Sequence, residues 1–163
     1  MRMIRRFALL CLLLAAAVAF ADEPKSQSHT IYKLQFVLKQ FDHGKIISTH
    51  NFEVSADAAD GRSSQIRTGN RIPVATGDDK YQYVDVGFNC DAQVVSDADG
   101  EIRLNTGWEL STMPAAAGPE HLIRQQRIHS VPRIILGKSI TVGSIDDIDS
   151  SQQFELDVTV TKE

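Results

Sequence analysis

Residues 153–161 read Gln153-Phe154-Glu155-Leu156-Asp157-Val158-Thr159-Val160-Thr161. Phe154, Leu156, Val158 and Val160 alternate with Glu155, Asp157, Thr159 and Thr161, a period of two. Successive strand side chains point to opposite faces, so the pattern predicts a strand with one face on a core and one toward water. The other end of the chain repeats it. Tyr32, Leu34, Phe36 and Leu38 alternate with Lys33, Gln35, Val37 and Lys39. Asp42-His43-Gly44-Lys45 then reads as a turn, with Gly44 free to take a positive φ, and Ile46 to Val54 returns. A hairpin is predicted over residues 30–54, with His50 opposite Val37.

Short strands between turn signals fill the middle. Ala56 to Gly61 reads as a loop or short helical turn. Ser64 to Thr68 is a strand closed by Gly69-Asn70, Tyr81 to Val86 one ended by Gly87, and Phe88 to Val95 another. Asp97-Ala98-Asp99-Gly100 joins that strand to Ile102–Ser111 in a hairpin, because Asp-Gly suits the positive-φ turns. Met113 to Glu120, with Pro114, Gly118 and Pro119, is an exposed connection. His121 to Leu136 is extended, Gly137-Lys138 turns, Ser139 to Gly143 is a short strand, and Ile145 to Ser151 is a polar loop. No long helical period follows the first twenty residues. The expectation is an all-β fold, a mainly antiparallel sandwich or curled sheet of about eight to ten short strands.

The N-terminus reads as an export signal. Arg2, Arg5 and Arg6 precede an apolar run from Phe7 to Val18, and Ala19-Phe20-Ala21 puts small residues where a signal peptidase reads them. Residues 1–21 are expected to be cleaved, residues 22–29 to form a flexible tether, and residues 30–163 a single β domain. Cleavage removes three of 17 basic residues and none of 21 acidic ones, leaving 14 against 21, a net charge of −7. No basic patch survives, which argues against nucleic acid as a partner. Cys90 would be the one remaining cysteine, so no internal disulfide is expected. It sits in a strand-like run beside Asp91, which suits a buried thiol of raised pKa.

Chemistry-bearing patterns are sparse. The histidines are His29, His43, His50, His121 and His129, and no two have the i, i+4 spacing of a helical zinc site. Asp97-Ala98-Asp99-Gly100-Glu101 lacks the first aspartate and distal glutamate of a calcium loop, and Asp146-Asp147-Ile148-Asp149 lacks its glycine. Gly-x-Ser-x-Gly, Ser-x-x-Lys and phosphate- or dinucleotide-binding glycine motifs do not occur. No catalytic, metal or cofactor residue is therefore assigned. Trp108, in even spacing with Ile102, Leu104 and Leu110, is expected in the core.

One run of motifs resembles a known family. Gly69-Asn70-Arg71-Ile72-Pro73-Val74-Ala75-Thr76-Gly77 is similar to the Gly-x-x-Val-Pro-x-x-Thr-Gly segment of bacterial secretins, the multimeric outer-membrane channels of secretion systems and type IV pili. Tyr83-Val84-Asp85-Val86-Gly87 resembles the family's aromatic, Asp-Val-Gly stretch before a strand. Leu136 to Gly143 looks like its late turn-strand-glycine segment. The resemblance spans residues 62–144. Where many secretins continue with an aromatic Val-Pro pattern, this chain reads Ser144-Ile145-Asp146-Asp147. It marks Gly69, Pro73, Gly77, Asp85, Gly87, Gly137 and Gly143 as structural positions.

The resemblance implies a non-enzymatic exported protein of the periplasm or outer membrane. It would bind or assemble with a protein component of the cell envelope, or with itself, and membrane association stays open. Two alternatives stand beside it, a minimal outer-membrane secretin forming a multimeric pore and a secreted hydrolase. For the pore, no pair of outward apolar strands of about ten residues is evident.

Overall fold

The structure is a computed structural model that describes residues 29–77, 80–98, 101–113, 123–148 and 150–163. The export signal, the tether up to Ser28, His121, Asp149, the Asp99-Gly100 turn and all but Met113 of the 113–120 connection lie outside the described residues.

The described residues form nine strands: β1 (Ile31–Asp42), β2 (Lys45–Asp57), β3 (Ser64–Gly77), β4 (Lys80–Ala98), β5 (Glu101–Thr112), β6 (Arg124–Ser130), β7 (Arg133–Ile135), β8 (Ser139–Asp146) and β9 (Gln152–Lys162). All pairings are antiparallel. One sheet has the order β2-β1-β9-β8 and the other β3-β4-β5-β6, with β7 on the same side of β5 as β6.

The alternating segments dictate the first sheet. Leu34 faces Val160, Phe36 faces Val158 and Leu38 faces Leu156 across β1 and β9, so one register puts every large apolar residue on one side. All six are buried. In the second sheet Phe88 faces Leu110, Cys90 faces Trp108, Ala92 faces Thr106 and Val94 faces Leu104. Fully burying a large aliphatic or aromatic side chain contributes about 1.5–3 kcal/mol, so these two apolar faces drive the sheets together. Phe52 of β2 and Phe88 of β4 stack between the sheets, ring centroids 5.0 Å apart and planes 19° apart.

Polar ties close the two rims. Ser64 Oγ donates to Ser55 O (2.7 Å) between β3 and β2, and Ser130 Oγ donates to Val142 O (2.8 Å) between β6 and β8. Near the second tie Arg124 Nη1 donates to both carboxylate oxygens of Asp147, at 3.1 and 3.0 Å.

Several expected boundaries are corrected. Gly69-Asn70 does not end β3, and Gly87 does not end a strand. Both glycines lie inside long strands because they oppose each other. The predicted loop at Ala56 begins two residues later, since β2 runs to Asp57, and Ile145 and Asp146 belong to β8. His121–Leu136 is broken by Val131-Pro132 into β6 and β7. Ile47 is an extra residue on β2, a bulge that moves His50 from Val37 to Leu38.

Candidate interaction surface

β3 pairs with β4 from Ser64↔Ala92 to Gly77↔Lys80, but β4 pairs with β5 only from Phe88 onward. Beyond the Gly69–Gly87 rung the two strands therefore pair only with each other among the described residues. They form a ribbon with a free backbone edge on each side.

The neck of this ribbon depends on glycine. A Cβ at Gly69 would run into Val86 O and lie 3.0 Å from Gly87 Cα, and a Cβ at Gly87 would run into Thr68 O. Only residues without side chains let the two backbones approach so closely. Over the pair lies a hollow of about 470 Å³ walled by Arg67 and Asn89 on the sandwich side and Arg71 and Asp85 on the ribbon side.

Strand alternation gives the ribbon two unlike faces. One carries Ile72, Val74, Val84 and Val86, all half-buried. The other carries Arg71 opposite Asp85, Pro73 opposite Tyr83 and Ala75 opposite Tyr81. Tyr81 and Tyr83 are 65% and 62% exposed, high for aromatic side chains inside strands. Arg71 Nε lies 3.3 Å from Asp85 Oδ1.

Below the neck the same face continues as a charged row, Arg67–Asn89–Glu109–Arg127, across β3 to β6. Arg67 Nη2 donates to Asp91 Oδ1 (2.6 Å), and Arg127 Nε donates to Glu109 Oε2 (2.8 Å). The Arg127 guanidinium holds the Glu109 carboxyl below its ordinary range. Gly107 leaves a shallow depression here, but both arginines that line it are already paired.

Asp42, His43 and Ser151 meet where the β1–β2 turn touches the β8–β9 loop. Ser151 Oγ lies 3.2 Å from His43 Nδ1, and Asp42 Oδ1 lies 2.9 Å from that same nitrogen. A relay needs the hydroxyl and the carboxylate on opposite ring nitrogens. Here the Ser151 hydroxyl instead donates to the Asp42 carboxylate. The cluster ties two loops together and has no catalytic arrangement. Cys90 is buried, and desolvation, helped by the Asp91 charge, pushes its thiol up to about 12, so the thiolate nucleophile is suppressed. Among the described residues no group of three or more His, Cys, Asp and Glu is placed to hold a metal ion.

The structure gathers five of the seven motif positions, Gly69, Pro73, Gly77, Asp85 and Gly87, into the ribbon. Gly137, at φ 75°, makes the turn before β8, where its N–H donates to Val160 O (2.8 Å). Gly143 sits at the β8 bulge, where a Cβ would lie 2.8 Å from Trp108 Nε1 and 3.0 Å from Ile128 Cγ2. Trp108 is buried, as its spacing predicts. Sequence reasoning missed the paired faces of the ribbon, because Gly69 and Gly87 read as strand ends.

No family model matches the chain, and no curated protein matches its sequence. Solved structures do. The type II secretion secretin GspD of Escherichia coli K12 shares 9% identity at a TM-score of 0.51, over 94% of this chain and 54% of its own. GspD of enteropathogenic Escherichia coli shares 8% at 0.59, over 94% and 73%. XcpQ of Pseudomonas aeruginosa shares 12% at 0.51, over 83% and 56%. This chain thus spans about half the length of two of these secretins and about three quarters of the third. At such identities the likeness is one of architecture, and the two packed sheets of this chain have the fold of secretins.

Proposed function

We propose that this chain is a non-enzymatic, exported β-domain that assembles with a protein of the cell envelope, in a secretion or pilus machine, by pairing strands along its free sheet edges. The observation that carries this reading is the β3 edge. Among the described residues the fourteen-residue β3 pairs on one side only, and its last eight residues continue into a ribbon whose other edge is also free. An isolated two-stranded ribbon is marginal in water, and unpaired backbone edges are the usual template for adding a strand from another chain. The secretin fold supports an envelope setting. The leader-like N-terminus, Arg2 to Ala21, supports export.

The reading is tested by placing a photo-crosslinking residue at Gln65 or Asn70 on β3, neither of them on the ribbon's tyrosine face, and irradiating intact producing cells. An adduct with an envelope secretion or pilus protein, or with a second copy, is expected at these positions and not at Thr159 of β9, a strand paired on both sides. Absence of adducts on β3 would overturn it.

A second reading, a minimal pore, rests on the aliphatic ribbon face of Ile72, Val74, Val84 and Val86. The ribbon strands of about eight residues fall short of the 9–11 that cross a bilayer. A pore would show as a large, detergent-dependent particle in light scattering, and a small particle that ignores detergent would remove it.

A further inference from the structure

We propose that the tyrosine face of the β3–β4 ribbon docks on the same face of a second copy of this chain, the two ribbons lying in the same direction about a two-fold axis along their length. The proposal uses a face and not an edge, so it stands or falls independently of the edge-pairing reading.

The argument is the division of labour between the two strands. On successive rungs of this face β3 contributes Arg71, Pro73 and Ala75, while β4 contributes Asp85, Tyr83 and Tyr81. One side of the ribbon is positive and then small, the other negative and then bulky. A two-fold axis along the ribbon sets β3 of one copy over β4 of the other at the same rung. Each exposed tyrosine ring then meets Pro73 or Ala75 of the second copy, and each Arg71 guanidinium meets the opposing Asp85 carboxylate. The surface is complementary to itself in both size and charge, as an isologous contact requires.

The alternative two-fold, running across the ribbon through the Arg71–Asp85 rung, would set Arg71 on Arg71 and Asp85 on Asp85. Like charges in contact disfavour it. The aliphatic face bears no charge to select a partner or a direction. The tyrosine face alone carries an address. Tyrosine supplies a rigid apolar ring with a hydroxyl left at the wet rim, which suits this use. The patch is small beside a standard interface, so the dimer is weak and forms at high protein concentration.

The test is sedimentation equilibrium of the purified protein over a concentration series. The native chain is expected to show a monomer–dimer equilibrium, and Tyr83→Ala to raise its dissociation constant about tenfold. Arg71→Asp leaves a copy with two carboxylates on the key rung, and Asp85→Arg leaves one with two guanidinium groups. Each variant alone is expected to be monomeric, and an equimolar mixture to regain the dimer. Both side chains are exposed, and unchanged circular dichroism checks that the variants fold. A native protein that is monomeric throughout, single variants that associate as well as native, or a mixture that fails to recover the dimer would each overturn the proposal. Association that survives all these substitutions while the β3 crosslinks form would assign assembly to the edge alone.

Discussion

Gly69 of β3 stands directly opposite Gly87 of β4, and the two backbones approach so closely that a methyl group on either would overlap the other strand. The pair lies where β4 leaves β5, one rung from the Phe88–Leu110 pair that begins the core. Glycine is demanded at both positions by the partner strand's main chain, which cannot move aside as a flexible side chain would.

Gly69→Ala and Gly87→Ala are each expected to destabilise the protein by about 1–3 kcal/mol, the usual cost of forcing extra volume into a closed site. Their effects should be non-additive, since both act on one contact. Denaturant unfolding of the two singles and the double measures this. Additive losses would mean that the strands do not close on each other at this rung.

Gly143 makes a similar demand on side chains. Its missing Cβ leaves room for the Trp108 indole and for Ile128. Gly143→Ala is expected to cost about 1–3 kcal/mol by displacing one of them. Trp108 is the only tryptophan in the chain, so its fluorescence maximum and near-ultraviolet dichroism report its surroundings directly. Loss of stability with an altered tryptophan signal is the expected outcome, and an unchanged signal would place the strain elsewhere.

The strands were legible wherever the residues alternate without interruption. β1 and β9 keep a strict period over their buried positions, as β5 does from Ile102 to Leu110, and their registers follow from setting apolar against apolar. The ribbon was not legible, for a physical reason. Glycine carries no side chain to continue an alternating pattern, so Gly69 and Gly87 look the same whether they end two strands or let two strands touch. The difference lies in the partner, and pairing partners are not written locally. The same holds for exposure. Tyr81 and Tyr83 read as strand residues with nothing local to say which face is covered, and they stand exposed because no second layer covers this part of β4 among the described residues. The bulge at Ile47 was hidden too, because one inserted residue changes register without changing composition. Five positions of the family motif fall in the ribbon, but the motif gave neither the ribbon nor its two faces.

The pH dependence follows from the paired carboxylates. Ser151 lowers the pKa of Asp42, Lys33 that of Glu53, His29 that of Asp57 and Arg127 that of Glu109. A carboxylate lowered in the folded state stabilises it above its unfolded pKa, and that contribution is lost as pH falls through the folded value. The melting temperature is therefore expected to hold steady from neutral pH down to the ordinary carboxylate range and to fall below it. His29, raised by Asp57, works the other way, stabilising below its ordinary value of 6.5 and ceasing to do so as pH rises past its folded value. These groups are half-buried or exposed and all reach solvent, so added salt should flatten the acid arm. Arg127→Gln should shorten that arm by removing the contribution of Glu109, and an acid arm identical to native would show that this ion pair carries none of it.

Cys90 governs the alkaline side. Its thiol is buried opposite Trp108 and pushed up to about 12 from 9.0, mainly by desolvation. Between those values the unfolded chain gives up the proton while the folded chain keeps it, so stability falls as pH rises from about 9 toward 12. Cys90→Ala should lower stability at neutral pH through the lost packing, yet flatten its decline above pH 9. Comparing slopes separates the two effects. The same burial predicts that a thiol reagent at pH 8 modifies the native protein far more slowly than the denatured one, at a rate set by opening of the sandwich. Rapid labelling of the folded protein would place Cys90 outside the core. An alkaline slope unchanged by Cys90→Ala would assign the decline to other groups, with Lys39 foremost. Its ammonium, raised by Asp157 and Glu155 on the outer face of β9, loses its stabilising charge as pH climbs past its folded value.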